Sequence, residues 1–257
     1  YFLRPLPLAE GTKRKIKVTL RPDGAEYAAE LRSDCVVNGK PGWQLHAQAR
    51  LSARAGQAAR CDLATIAARC PDREAAAPGE RLLAPQEAHL NFGPRWHVLR
   101  ETATGPGEGL AELSLPEAAA GDLAAGHLLH PGLMDIATGW AMRLIPGYGA
   151  RHLWVPLSYG EIRLFAPLPA QIRSHVRLVS GTAEEGFARF DVTLTDPAGE
   201  VLAEVRGFAM QRVAGALAEV PPPDAREVIF DGESAPSLSP AEERFAPVLR
   251  EGIRARA

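Results

Sequence analysis

Apolar and polar residues alternate from residue 15 onward. KIKVTL puts Ile16, Val18 and Leu20 on one face, the period of two that marks a half-covered strand. Pro22-Asp23-Gly24 is a turn signal and GAEYAAEL follows it, so a hairpin is predicted. A second turn cluster, VNGKPG, leads into WQLHAQARL, where Trp43, Leu45, Ala47, Ala49 and Leu51 keep the same alternation. Residues 1 to about 55 therefore predict a short antiparallel meander with no helical segment to cover its apolar face. The Ala- and Arg-rich stretch 52–85 predicts a short helix and a connection. From His89 a second unit begins, with HLNFGPRWHVLR and GLAELSLP both strand-like. A helical segment follows, and then the strands EIRLF (161–165), SHVRLVSG (174–181) and a long pair joined by DPAG, the strongest hairpin signal in the chain. After Val213 a Pro-rich, weakly patterned stretch reads as a linker. The closing segment reads as a helix capped by Ser239, with Glu242 completing a capping box. The whole predicts an α+β protein of two related halves. The boundaries are 1–70 for the remainder of the first half, 71–88 for a connection, 89–213 for the second half and 214–257 for a linker and helix.

Within HPGLMDIATGW (130–140) the pattern changes to that of a helix. Pro131 suits the first turn, where its missing N–H costs nothing. At about 100° per residue, Leu133, Ile136, Ala137, Trp140 and Leu144 form one stripe. Asp135 points the other way with Thr138, Gly139 and Met142, a face that is small and apolar rather than charged. A helix buried on both sides with one acid has two readings. Asp135 complements the positive end of the helix dipole, or it is a carboxyl whose burial raises its pKa and keeps its proton, as a general acid requires.

Composition narrows the classes. The chain has 257 residues, 46% apolar and 23% charged, enough for a sizeable core. A net charge of −2 argues against a nucleic-acid surface, and no apolar run approaches the length of a membrane span. The N-terminus lacks a signal-peptide pattern. Cys35, Cys61 and Cys70 are few and widely spaced, which predicts neither a disulfide framework nor a zinc site and fits a reducing cytoplasm.

Six segments, in order, give the chain a resemblance to the dehydratase domain of type I modular polyketide synthases. His130-Pro131-Gly132-Leu133-Met134-Asp135 resembles the family's HPxLLDxxxQ/H motif, and Phe92-Gly93-Pro94-Arg95-Trp96 its YGPxF segment. Val155-Pro156-Leu157-Ser158-Tyr159 resembles LPFxW. APLPAQIRSHVRL, DVTLTDPAGEVLAEVRGFAMQRV and WQLHAQARL resemble a strand entry, the closing hairpin and the last strand of the first half. The resemblance implies a double hotdog, two tandem antiparallel sheets each around a central helix, with the first unit incomplete in this chain. It implies elimination of water from a 3-hydroxyacyl thioester on an acyl carrier protein. A histidine takes the proton beside the carbonyl, Asp135 protonates the leaving hydroxyl, and backbone N–H groups steady the enolate. It further implies Phe92, Gly93, Pro94, Gly139, Val155, Pro156 and Tyr159 as substrate-binding positions, and no metal or redox cofactor beyond the carrier's phosphopantetheine. The implied partners are the carrier protein, neighbouring synthase domains and a second copy of the chain, in the cytoplasm. Arg143, Arg151 and Arg173 are candidates for a carrier-docking patch.

The sequence departs from the family at four places. The HxxxGxxxxP motif that carries the histidine is not found in it. His89-Leu-Asn-Phe-Gly93 matches the first half only, since residue 98 is Val, and His46, His127 and His130 read as structural. The family's Gln or His four residues after the acid is Gly139, its Tyr is Phe92 and its Trp is Tyr159. Three functional readings remain: part of an ordinary dehydratase, an inactive scaffold or acyl-binding domain, or altered chemistry such as double-bond isomerisation or pyran-ring formation.

Overall fold

The computed structural model describes residues 1–54, 56–213, 223 and 228–230; the helix predicted at Ser239 and Glu242 lies outside the described residues. The chain divides into two compact units, one built on Tyr1–Ala55 with a late strand, the other on Gly56–Ala216.

The first unit is the predicted meander: β1 (Ile16–Asp23), β2 (Glu26–Val37) and β3 (Lys40–Leu51), each antiparallel to the next. Asn38 and Gly39, at φ 51° and 77°, both sit in the left-handed region that a two-residue hairpin turn demands. His46 is a structural histidine: one ring nitrogen lies 2.8 Å from Ser33 Oγ and the other 3.1 Å from the Pro5 carbonyl. Ile16 and Val18 remain exposed, and no helix belongs to this unit among the described residues.

The second unit opens with α1 (Leu63–Arg69) and β4 (Asp72–Ala75), and continues with β5 (Leu99–Gly105) and β6 (Glu108–Ser114). Then come α2 (Ala120–Ala124), α3 (Pro131–Gly139), β7 (Trp154–Ser158), β8 (Glu161–Leu164), β9 (Gln171–Thr182), β10 (Phe187–Thr195) and β11 (Val201–Arg212). Seven strands follow the order β4-β5-β6-β9-β10-β11-β7, with β8 also paired to β11. The DPAG turn forms as predicted: Asp196 Oδ1 accepts the N–H groups of Ala198 and Glu200, each at 2.9 Å. Alternate residues of the sheet, among them Leu113, Ile172, Val176, Phe190, Val192 and Val205, meet Leu133, Ile136, Ala137 and Trp140 of the helical segment in one core.

Three expectations change. The first boundary falls near residue 55, not 70, because residues 56–75 pair with the second unit. Cys61 N–H donates to the Gly199 carbonyl at 2.8 Å, and β4 adds to β5. HLNFGPRWHVLR is not a strand through its length: Pro94–Trp96 is a 3-10 turn, as the fixed φ of Pro94 allows, and β5 begins only at Leu99. The stretch after Val213 is not wholly linker, since β12 (Val228–Phe230) pairs with β3 in the first unit's sheet. β7 also escaped the pattern reading, because a strand interrupted by Pro156 is weakly marked.

Candidate active site around Asp135

Pro131 opens α3 at its first position, and the segment continues past Gly139 as a tighter 3-10 turn, Trp140–Leu144. Every residue from Gly132 to Met142 except Asp135 is buried. The helix start is fixed from outside. His130, fully buried, places Nε2 3.2 Å from Asp122 Oδ2 of α2, and Arg95 donates to the same oxygen at 2.6 Å. The Arg95 guanidinium first, and then His130, hold the Asp122 carboxyl at about 2. His130 is thus part of the scaffold.

Asp135 is the fifth helical residue, beyond the first turn where the dipole acts. Its carboxylate accepts one hydrogen bond, from the Trp96 indole N–H at 2.7 Å. Among the described residues no cation pairs with it. Burial pushes the carboxyl above the ordinary carboxylate range, and the Trp96 bond offsets only part of that. Asp135 thus lies outside the reach of the dipole reading, and the direction of its shift is the one that partial burial of an acid produces.

Around the acid the elements converge. Trp96 stacks on Phe92 with ring centroids 6.4 Å apart. Thr138 Oγ1 donates to the Met134 carbonyl at 2.9 Å and lies 3.3 Å from the Tyr159 hydroxyl. Tyr159 stacks on Phe208 of β11 at 4.9 Å, and burial pushes its hydroxyl up. Of the sequence-predicted positions, Asp135, Tyr159 and Gly139 share this neighbourhood, and Phe92 joins through Trp96. Gly93 and Pro94 are exposed on the turn that carries Trp96. Val155 and Pro156 lie on β7, in register with Gln211 and Met210 of β11. Of the suggested docking arginines, Arg143 is paired to Glu74 at 2.6 Å and Arg173 to Glu112, while Arg151 is exposed and has no such pair among the described residues.

Sequence reasoning passed over two residues. Trp96 entered only as the last letter of a motif, although an indole N–H is the one donor that position can offer. Gln86 carried no signal at all. It stands in a 3-10 turn, Pro85–Ala88, and its amide fills the space a side chain at 139 would take.

A sequence profile described as "Polyketide synthase dehydratase N-terminal domain" matches residues 58–219. Polyketide synthase PksN of Bacillus subtilis (strain 168) is 27% identical over 127 residues, 49% of this chain but 2% of that protein. The dehydratase domain from the CurJ module of Curacin polyketide synthase superposes with TM-score 0.69 at 21% identity, covering 82% of this chain and 72% of the other. A trans-AT polyketide synthase dehydratase domain from Brevibacillus brevis gives 0.70 at 22%, covering 83% and 74%. These likenesses bear out the double-hotdog fold.

Proposed function

The chain belongs to the polyketide synthase dehydratase family, and from that premise we propose that it eliminates water from a 3-hydroxyacyl thioester with Asp135 as the general acid. The observation that carries this is a half-buried carboxyl on an otherwise apolar, buried helical segment, with one hydrogen-bond donor and, among the described residues, no cation paired to it. Such a group holds its proton to higher pH than an ordinary carboxyl does, which suits it to give that proton to a nearby oxygen. The Asp135 proton passes to the hydroxyl on C3, the C3–O bond breaks and water leaves. The C2 proton goes to a base, and its electron pair becomes the C2–C3 double bond. In the family the base is the histidine of the HxxxGxxxxP pattern; in this chain His130 and His46 are held by structural partners. The acyl chain arrives on the phosphopantetheine of a carrier protein, the chain works beside other synthase domains and pairs with a second copy of itself, and the chemistry needs proton transfer only. Among the described residues no helix is long and apolar enough to cross a membrane.

Water loss from a 3-hydroxyacyl carrier-protein thioester, followed by mass spectrometry with the full polypeptide that carries this chain, tests the reading. Dehydration that Asp135→Asn abolishes supports it. Dehydration unchanged in Asp135→Asn overturns the assignment of the acid.

A further inference from the structure

Three short segments meet at the start of α3, and one carboxylate ties them together. Asp122 of α2 accepts the Arg95 guanidinium at two points, Nε to Oδ2 at 2.6 Å and Nη2 to Oδ1 at 3.3 Å, a fork that fixes orientation as well as distance. The same Oδ2 lies 3.2 Å from Nε2 of His130, the residue on which α3 begins. The Asp122 carbonyl oxygen lies 2.7 Å from His127 Nδ1, and the His127 ring stands edge-on to His130 with centroids 5.9 Å apart. Asp122 is therefore pinned by backbone and side chain alike.

Arg95 is also the chain neighbour of Trp96. The turn Pro94–Trp96 runs so close to α3 that a Cβ on Gly132 would collide with the Arg95 carbonyl oxygen. Gly132 and Asp135 are three positions apart and share a face of the helix. The turn meets that face twice, through the Arg95 backbone at Gly132 and through the Trp96 indole N–H, 2.7 Å from the Asp135 carboxylate. Other groups around α3 bring no charge to the acid. The strands beneath the helix offer Leu113, Ile172, Val176 and the Ser174 hydroxyl, and the Pro85–Ala88 turn offers the uncharged Gln86 amide at Gly139. The titratable neighbour is the Tyr159 hydroxyl, which burial pushes up and so keeps neutral.

We propose that Asp122 is a positioning residue for the acid step: by bracing Arg95 against the start of α3, it holds the Trp96 indole on the Asp135 carboxylate. This rests on the dehydratase reading. The Arg95 side chain is 56% exposed, so its ion pair adds little stability of its own; what it supplies is the placing of the next residue. The Arg95 guanidinium and then His130 hold the Asp122 carboxyl at about 2, so Asp122 stays ionised throughout the neutral and alkaline range. Asp122 exchanges no proton with substrate and acts through Trp96.

The pH dependence of dehydration by the full polypeptide, in wild type, Asp122→Asn, Trp96→Phe and the double variant, tests it. Loss of the indole bond raises the Asp135 carboxyl, so Trp96→Phe is expected to move the alkaline limb upward by about half to one pH unit, a roughly three- to tenfold change in the dissociation constant. Asp122→Asn, of the same shape without the charge, is expected to move the limb the same way. The double variant is expected to move it no further than Trp96→Phe alone, as for residues that act through one another. Asp122→Glu is expected to return the limb toward wild type. Arg95→Met, which removes the brace from its other end, is the second variant if Asp122→Asn does not fold. A limb that stays in place while the melting temperature falls, or a double-variant shift equal to the sum of the two single shifts, overturns the proposal. Carbodiimide-driven amidation of Asp135 across pH, read by peptide mass spectrometry, follows the same carboxyl without turnover. If wild type dehydrates nothing but the labelling midpoint moves alike in Asp122→Asn and Trp96→Phe, the dehydratase reading fails and the brace stands. If wild type dehydrates and neither limb nor midpoint moves in Asp122→Asn, the brace fails alone.

Discussion

Replacing Trp96 by Phe removes one N–H from the Asp135 carboxylate and leaves a ring to stack on Phe92. A hydrogen bond to a charged group contributes about 1.5–3 kcal/mol and one to a neutral group about 0.5–1.5 kcal/mol. With Asp135 ionised, a double-mutant cycle of Trp96→Phe and Asp135→Asn should therefore show a coupling on the order of 1–2 kcal/mol. For a domain of this size that is a melting shift of very roughly 2–8 °C, at about 2–4 °C per kcal/mol. Because burial holds the carboxyl above its ordinary value, the folded state favours the protonated form. Stability falls as pH climbs from the ordinary carboxylate range through the raised one. Asp135→Asn escapes that loss, so it should exceed wild type in alkaline buffer and converge on it in acid. Trp96→Phe pushes the carboxyl higher still, which moves the alkaline limb of the dehydration rate upward in pH. Urea denaturation of the four proteins in acid and in mildly alkaline buffer, with a pH–rate profile, reads all of this. A coupling near zero in alkaline buffer, or an alkaline limb that does not move, would refute the argument that Trp96 governs the protonation of Asp135.

Gly139→Ala should be destabilising by about 1 kcal/mol net: overpacking costs about 1–3 kcal/mol, and the gain in helix propensity returns about 1. Adding Gln86→Ala should relieve it, as thermal melts of the single and double variants would show. Glu108 donates nothing but holds two partners, Arg69 at 2.6 Å and His175 at 2.9 Å, and the Arg69 guanidinium above all pulls its carboxyl from 4.5 to about 2. Burial keeps His175 neutral near pH 7, so it contributes an N–H donor rather than a charge. The lowered pKa sets an upper limit of about 3 kcal/mol, which solvent around the half-exposed Arg69 reduces to about 1–2 kcal/mol. That stability is complete above pH 4.5 and is lost as pH falls toward 2, so Glu108→Gln should flatten the acid limb of a stability curve in that window.

The hairpins were legible because their turns are encoded locally. Asn38-Gly39 and Asp196 to Gly199 fix backbone geometry with their own atoms. The half-buried acid was legible for a related reason, since a lone Asp on an apolar helical face breaks the period that surrounds it. What could not be read was anything formed by two distant segments. Trp96 and Asp135 are 39 positions apart and Gln86 and Gly139 are 53 apart in the chain, and no periodicity relates them. A glycine at 139 read alone is a missing side chain. Only the fold shows that the space is taken. The boundary near residue 55 was missed likewise, because α1 and β4 take their partners from strands well downstream.

The core indole of Trp140 rests where Gly109 of β6 has no side chain, and a Cβ there would come within 2.6 Å of its ring. Its N–H reaches Ser174 Oγ of β9 at 3.3 Å, and that hydroxyl donates to the Ala137 carbonyl at 2.6 Å. The height of the Asp135 helix over the sheet is thereby set by a notch at 109 and a peg at 174, not by its neighbours in sequence. Anyone recombining synthase domains inherits this constraint. A transplant of residues 131–144 into another scaffold carries its lock but not its keyhole, and the exchangeable piece is the helix together with β6 and β9.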